Sequence, residues 1–423
     1  MAWIGVEALR AWSMRLLVFN AGSSSLKFDL LAVAASGEVC CLKSGAFVDT
    51  ADGSGRLELR TAAAVEPPTS PIRTLSEAAD FVLDWLSNAP LHGRDLLCDV
   101  EATVHRIVHG GHAFRATTRL GTAELALLAE LGTLAPLHNP PALSVIAAVR
   151  SRLGPDLPVV GVFDTAYYAD LPEVAYCYAL PARWREEFGV RRYGFHGIAH
   201  RYLCQSARAR LQGLRDATRI VSLQLGRGCS VTATLGSRAI ATSMGFTPLE
   251  GLVMGTRSGD VDPGALLYVM ERGGISAAQM RRELNQDSGL LGLSGRTADM
   301  RELLALEQKG DPGAALAVQV FCRRARHYLA AYMAELGGAD VIVFGGGIGE
   351  NCADIRRRVL GGLEWAGIHV HAEANAAGVG VEASIASATS RVAIQVIPVD
   401  EASVIASDAA ALLRADLKGL HPS

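Results

Sequence analysis

The chain has almost no net charge: 40 lysines and arginines against 43 aspartates and glutamates leave it at −3 over 423 residues. A surface without a dominant sign offers no electrostatic footprint for nucleic acid or for an anionic membrane surface, and neither is expected as a partner. No run of 18 or more apolar residues occurs, so the sequence holds no candidate membrane-spanning helix. Eight cysteines (Cys40, Cys41, Cys98, Cys177, Cys204, Cys229, Cys322 and Cys352) include no CxxC pair, which suits reduced thiols in a cytoplasm better than a disulfide scaffold. The first thirteen residues lack the uninterrupted apolar core of a signal peptide, because Glu7 and Arg10 break it. They are expected to form a disordered extension or to precede an alternative start at Met14. What the chain does have is 50 % apolar and 20 % charged residues, the balance of a soluble, well-packed enzyme. Its length is large for one core, so two domains are expected.

Residues 15–31, RLLVFNAGSSSLKFDLL, are two apolar runs broken by a Gly/Ser turn, which predicts strand, turn, strand. Gly22 and the serines Ser23 and Ser25 offer N–H and hydroxyl donors to an anion, Lys27 adds a mobile positive charge, and Asn20 can bond beside a bound metal. On composition alone an ordinary Ser-rich hairpin is the plainer reading; the stretch is neither a Walker A loop nor a Rossmann fingerprint. A second stretch, 220–235, reads IVSLQLGRGCSVTATL and aligns with the first, with Gln224 in the place of Asn20. One hairpin is expected twice, about 200 residues apart, and two such hairpins can hold the ends of a polyphosphate; a weak internal repeat of this kind also arises by chance. Cys229 lies within the second turn, as a buried inert thiol or an oxidation-sensitive one.

Further strands with Asp/Gly turns are expected over 37–59 and a helix over 74–86. In VHRIVHGG, residues 104–111, period-2 alternation puts Arg106 and Val108 on one face of a strand closed by two glycines. A strand-end arginine can present its fork to a small carboxylate; a surface ion pair is the plainer use. His105, His109 and His112 suggest zinc, but no cysteine or carboxylate is placed to finish such a site, and scattered structural histidines are the better reading. His138 stands in a proline-flanked loop at a helix start, and Asp164 ends an apolar strand, a usual place for ligand and metal groups in α/β proteins, with a helix cap as the plainer use. His196 lies between Phe195 and a glycine. Residues 241–264 form a long Gly-rich loop containing Arg257; long ordered loops are usually functional. Helices are expected over 266–270, 298–306 and 314–335, and 341–351, VIVFGGGIGEN, is a buried strand running into glycines that let a base or phosphate approach the backbone. A last strand over 393–398 leads into Asp400 and Glu401, where acidic residues suit a helix N-terminus.

Together NAGSSSLKF, HGG, HNPP, FDTAY, YGFHG, GFTPLEGLVMGTRSGDVDPG and GGGIGEN, in this order, closely resemble the acetate kinase family, and the resemblance covers the chain from Met14 onward. It implies an α/β fold of two ribonuclease-H-like domains, the duplicated actin and sugar-kinase fold, with an active-site cleft between them. The N-terminal acyl and phosphate domain would span 14–163 and be joined by a C-terminal helix, 399–415; the nucleotide-binding domain would span 164–398. The implied reaction is reversible transfer of phosphoryl from Mg-ATP to acetate, giving acetyl phosphate and ADP, in a cytoplasmic homodimer. By motif position Asn20, Ser23, Ser25 and Lys27 fall on the first phosphate and metal site, with Glu401 as the acidic metal residue. Arg106, Asp164, His196, Arg257 and His138 fall on catalytic positions. Val108, Leu137, Phe195 and Pro248 match a small apolar acyl pocket. Gln224, Gly226, Arg227 and Gly228 take the second phosphate turn, and Gly345, Gly346, Gly347, Ile348, Gly349 and Asn351 the adenosine segment.

The chain departs from the family's pattern at four places. Gln224 replaces a usual histidine and Arg227 an asparagine in the HLGNG turn, Tyr168 a frequent histidine, and Ala402 a common second glutamate. Arg227 would add charge near the β- or γ-phosphate or simply reach solvent. A propionate or butyrate kinase is the nearest alternative, since one methylene discriminates by only about 1 to 3 kcal/mol. A sugar or polyol kinase would use Asp164 as a base, and a nucleotide sensor without catalysis would follow from the altered second turn.

Overall fold

The computed structural model describes residues 12–22, 25–48, 56–59, 72–88, 96–211 and 217–420. The chain divides into two compact units, Met1–Ala166 with Asp400–Ser423, and Tyr167–Val399. Asp164, set at the head of the second domain by the sequence reading, groups with the first unit.

The first unit is built on a seven-stranded sheet. Its strands are β1 (Trp12–Ala21), β2 (Ser25–Ala34), β3 (Val39–Val48), β4 (Arg56–Leu59), β5 (Ala102–Ile107), β6 (Thr118–Arg119) and β7 (Val159–Phe163), in the order β4-β3-β2-β1-β5-β7-β6. The expected hairpin is present: β1 and β2 pair antiparallel, with Phe19 opposite Phe28 and Asn20 opposite Lys27. β1 starts two residues ahead of Met14, because Trp12 already pairs with Ala34, so the expected extension is shortened at its inner end; its residues 1–11 lie outside the described residues. β5 and β7 add on in parallel. All five residues of β7 are buried, as a parallel strand covered on both faces requires. Leu17, Phe19, Phe28 and Leu30 pack with Val82, Leu83 and Leu86 of the helix Leu75–Asn88 and with Val145, Ile146 and Val149 of the helix Asn139–Leu153. The final helix, Glu401–Leu420, returns to pack on β1, β2, β5 and β7. β5 ends at Ile107, so Val108 opens the loop rather than closing the strand. It is half-buried like Arg106, between buried neighbours, so the alternation persists one residue past the ladder.

The second unit repeats the arrangement. Its strands are β8 (Arg219–Leu225), β9 (Cys229–Leu235), β10 (Arg238–Thr242), β11 (Val341–Gly345), β12 (Ala383–Ser384) and β13 (Ala393–Val396), in the order β10-β9-β8-β11-β13-β12. Here β8 and β9 form the hairpin, β10 continues it antiparallel, and β11 and β13 add on in parallel. β3-β2-β1-β5-β7 and β10-β9-β8-β11-β13 are therefore the same five-stranded motif, and the weak repeat in the sequence is a repeat of topology. The helix Gly197–Arg210 packs on β8 and β11, and the long helix Pro312–Glu335 on β8 and β9. The stretch from Ser243 to Asp262 is irregular, as expected.

Candidate active site

In the first unit the chemistry collects at the carboxyl ends of three adjacent parallel strands, where α/β sheets place ligands. Asn20 near the end of β1 sits opposite Arg106 in β5, and Asp164 directly follows β7. Arg106 is the hub. Its Nε donates to Asp164 Oδ1 at 3.0 Å and its Nη2 to Asp164 Oδ2 at 2.6 Å, a two-pronged pair, while Nη1 donates to Asn20 Oδ1 at 3.1 Å. Glu401 Oε2 lies 3.9 Å from Arg106 Nε. Burial opposes the charge on Arg106, but Asp164 and then Glu401 outweigh it and hold the guanidinium's pKa above its ordinary value. The guanidinium fork, expected to face a small carboxylate, is engaged by Asp164, which is fully buried and needs a cation beside it. Asp164 is accordingly an ion-pair partner and not a helix cap. The acidic pair at the last helix divides its roles: Asp400 accepts from the Ser403 N–H at 3.1 Å as a cap, while Glu401 turns to Arg106.

Around this group, buried Asn139 clamps the loop after β5 through both main-chain groups of His109, accepting from its N–H at 3.2 Å and donating to its carbonyl at 2.8 Å. His138, the residue before, is half-buried at the helix start, and Leu137 is 42 % exposed. His105 is a core residue, stacked on Phe19 and pushed down to about 3 by burial. His109 Nδ1 accepts from the Gly111 N–H. Among the described residues no three His, Cys, Asp or Glu side chains are grouped to hold a metal. The first turn is closed by the Gly22 N–H on the Ser25 carbonyl at 2.8 Å; Lys27 is exposed. Ser23 lies outside the described residues.

In the second unit Arg257 and His196 meet over Gly228. A Cβ on Gly228 would lie 2.6 Å from Arg257 Nη2 and 3.3 Å from His196 Nε2, so only glycine leaves both groups in place. Arg257 Nη1 donates to the Pro248 carbonyl at 2.5 Å. Burial pushes the Arg257 pKa down and the neighbouring guanidinium of Arg227 adds to this, while the Cys229 thiol opposes it. Arg227 is exposed, and its carbonyl accepts from the Gly255 N–H at 3.0 Å. His196 is, among the described residues, the one non-glycine with positive φ, at 57°. Its Nδ1 lies 2.9 Å from Ser230 Oγ in β9. Phe195 is buried, and its carbonyl accepts from Tyr168, whose hydroxyl also meets Thr232 Oγ1 at 2.9 Å. Tyr168 is thus a buried structural residue of this unit. Cys229 is fully buried with its thiol pushed up to about 12 by burial, the inert alternative of the two.

The two nucleotide segments expected from sequence are side by side. Gln224 of β8 pairs in register with Gly345 of β11, and the position of a Cβ on Gly226 is 3.7 Å from the Gly347 nitrogen. Gly346, at φ 77°, passes so close to β8 that a Cβ would stand 2.6 Å from the Leu225 carbonyl. β11 therefore turns directly into the helix Gly346–Asn351, with Ile348 and Gly349 inside it and Asn351 Nδ2 on the Gly347 carbonyl at 2.9 Å. Gln224 Oε1 is buried without a hydrogen-bond partner among the described residues, so the turn has a free acceptor.

Sequence reasoning passed over three supports of this site. Glu350 Oε1 accepts from the N–H groups of Gly346 and Val399 at 2.7 and 3.1 Å. Arg192 gathers the carbonyls of Thr242, Ser243 and Met244 and pairs with Glu250 at 2.5 Å, fixing the start of the Arg257 loop. Arg356 is wholly buried beside the helix Gly346–Asn351, donating to the carbonyls of Gly349 and Glu350. Its neighbours Ile355 and Val359 mark the buried face of its helix, the one hint the sequence carries.

A family model described as the acetokinase family matches residues 15–407. The acetate kinase of Solibacter usitatus is 41 % identical over 420 residues, covering 97 % of this chain and 100 % of that protein. Among solved structures, Porphyromonas gingivalis acetate kinase is similar with a TM-score of 0.82 at 36 % identity, over 95 % of this chain and all of that one. A propionate kinase from Francisella tularensis reaches a TM-score of 0.85 at 33 % identity, over 94 % of this chain and 99 % of its own.

Proposed function

The chain belongs to the acetokinase family, and from that premise we propose that it is an acetate kinase, moving the terminal phosphoryl group of ATP to acetate and, in reverse, from acetyl phosphate to ADP. The observation that carries this reading is the Arg106 group. Acetate is ionised at neutral pH, so its attack requires no base; it requires its repulsion from the triphosphate to be cancelled and its oxygen held in line. Asp164, tied by both oxygens to Arg106, is placed to orient that cation and not to take a proton from a hydroxyl, which argues against a sugar or polyol kinase.

Arg106 positions the acid, with Val108, Leu137, Phe195 and Pro248 as the apolar surroundings of its methyl group. Arg257, His196 and His138 act on the transferred phosphoryl; Ser23, Ser25 and Lys27 with Gln224, Gly226, Arg227 and Gly228 hold phosphates, and Gly345, Gly346, Gly347, Ile348, Gly349 and Asn351 the adenosine. Asn20 Oδ1 and the Glu401 carboxylate, both beside Arg106, are hard oxygen donors suited to Mg²⁺, which takes one or two protein ligands and completes its shell with water and phosphate. When bound, the ion supplies charge neutralisation on the phosphates. The free acceptor of Gln224 suits an N–H or O–H of a ligand, which supports nucleotide binding despite the altered turn. We place the enzyme in the cytoplasm; among the described residues no helix is long and apolar enough to cross a membrane, and the free cysteines accord with a reducing compartment. It acts as a homodimer.

Hydroxylamine trapping of the acyl phosphate tests the reading. Mg-ATP with acetate should give the strongest signal, propionate and butyrate weaker ones, and Arg257→Ala should lose about 10² to 10³ in turnover while staying folded. A signal strongest with propionate would reassign the acid. No signal with any acid, with nucleotide still bound, would make the chain a sensor.

A further inference from the structure

Arg257 takes its direction from a main-chain carbonyl, and that carbonyl is itself held by side chains outside the groups described so far. Arg257 Nη1 donates to the Pro248 carbonyl at 2.5 Å, which leaves Nη2 at the Gly228 turn. Separate anchors fix the chain on either side. After Arg257, Asp260 Oδ1 accepts from the Gly251 N–H at 2.8 Å and the Asp260 N–H donates to the Gly251 carbonyl at 3.0 Å. Tyr328 and Arg324 of the helix Pro312–Glu335 hold the other oxygen of Asp260 at 2.7 and 3.1 Å. That anchor secures the backbone that carries Arg257. The carbonyl that receives its side chain depends on the other.

The second anchor closes on one hydroxyl. A main-chain N–H can only donate, so the Phe246 N–H, 2.8 Å from the Tyr178 oxygen, occupies a lone pair of that oxygen. The single hydrogen of the phenol goes to Glu250 Oε2. Loop 246–250 is thereby tied end to end, with Pro248 at its middle. Arg192 Nη2 donates to the remaining oxygen of Glu250 at 2.5 Å, a charge-assisted bond, while its Nη1 lies within 3.2 Å of the carbonyls of Thr242, Ser243 and Met244. Burial holds the Tyr178 phenol above its ordinary pKa; Arg192 opposes this and Glu250 adds to it, and the hydroxyl keeps its hydrogen at neutral pH. The chain is shaped to this contact at Gly245, where a Cβ would collide with both the Glu250 carboxylate and the Tyr178 hydroxyl.

We propose that Tyr178, acting with Glu250, is a positioning residue for Arg257: its hydroxyl closes loop 246–250 so that the Pro248 carbonyl holds the guanidinium at the Gly228 turn. Its effect on turnover passes through Arg257. Because the Asp260 anchor is separate, loss of the hydroxyl frees the guanidinium without unfolding the backbone that carries it. The inference rests on the phosphoryl-transfer reading above.

The test is a double-mutant cycle of Tyr178→Phe and Arg257→Ala, read by kcat at saturating Mg-ATP and acetate beside melting curves. A second readout is the rate at which phenylglyoxal modifies Arg257, followed by peptide mass spectrometry. Tyr178→Phe should lower kcat about 10- to 100-fold, with KM for ATP nearly unchanged and the thermal midpoint within a few degrees of the wild type. In the Arg257→Ala background the same substitution should change kcat by less than about 2-fold, because the group it positions is gone. Arg257 should react with phenylglyoxal severalfold faster in Tyr178→Phe than in the wild type. Full turnover in Tyr178→Phe would overturn the proposal. So would an equal loss in both backgrounds, the mark of a general structural effect, or an unchanged rate of modification. Should Tyr178→Phe not fold, Glu250→Gln, which keeps the shape and removes the charge, takes its place in the cycle with the same expectations. A wild type that makes no acyl phosphate would count against the acetate kinase reading instead, and the modification rate would still decide whether Tyr178 holds Arg257.

Discussion

Gly228 shows how tightly the second-unit site is packed. The sequence presents it as one glycine of a phosphate turn, but its role in the structure is to leave space: a Cβ would overlap Arg257 Nη2, at 2.6 Å, and press on the His196 ring. The flexible end of the arginine would yield first, so a Gly228→Ala variant should keep its thermal midpoint within a few degrees. A displacement of about 1 Å at a charge-stabilising group commonly costs about 10² in rate, and kcat should fall by that order. Steady-state kinetics beside a melting curve separate the two effects; unaltered kcat would show that Arg257 does not act from this position. The positions of Arg106, Asp164 and His196 were legible because each sits at the end of an apolar run or among glycines. Their partners were not. That Asp164 would occupy both prongs of Arg106, or that Ser230 would meet His196, depends on residues 58 and 34 apart in sequence that no local pattern connects.

At the scale of elements, hairpins and buried strands announced themselves through short apolar runs bounded by turns, and the 341–351 strand-to-helix turn was clear from its glycines. Arg356 was hidden, because RRR in a short helix reads as a solvated face. In the fold all five of its N–H donors are used: Nε on Asn375 Oδ1, Nη1 on the carbonyls of Gly349 and Glu350, and Nη2 on those of Asn375 and Gly378, all within 2.9 Å. Two of those carbonyls end the helix Gly346–Asn351, where helices leave such groups unsatisfied. Removing the guanidinium strands several buried acceptors at once. Arg356→Ala should cost about 3 kcal/mol or more in denaturant unfolding, and Arg356→Lys should recover little, since three rotating donors do not reproduce a five-donor fork. If the alanine variant lost less than about 1 kcal/mol, water would be replacing those bonds and Arg356 would not be the prop of that helix.

For the whole molecule, the sequence revealed duplication but not the surfaces it leaves. Three helices of the second unit, Glu173–Tyr176, Ala182–Phe188 and Pro263–Gly273, have no buried residue, yet they carry large apolar side chains. Phe188 is 63 % exposed, Leu267 60 % and Tyr268 61 %, and Leu267 and Tyr268 lie in the uninterrupted apolar run from Ala265 to Met270. Isolated exposed apolar residues are ordinary, but a helix with such a run and no buried position is the kind of surface that a subunit interface covers. We assign it to the second copy of this chain in the proposed homodimer. Sedimentation at micromolar concentration should find the wild type dimeric, and the double substitution Leu267→Asp with Tyr268→Asp should give a monomer with an unchanged circular dichroism spectrum, since neither side chain supports the fold of its own chain. Burying two aspartates in an apolar contact costs several kcal/mol at each symmetry-related position, enough to dissociate an interface of ordinary size. A monomeric wild type would remove the homodimer from the proposal, and a double variant that stayed dimeric would move the interface to another face.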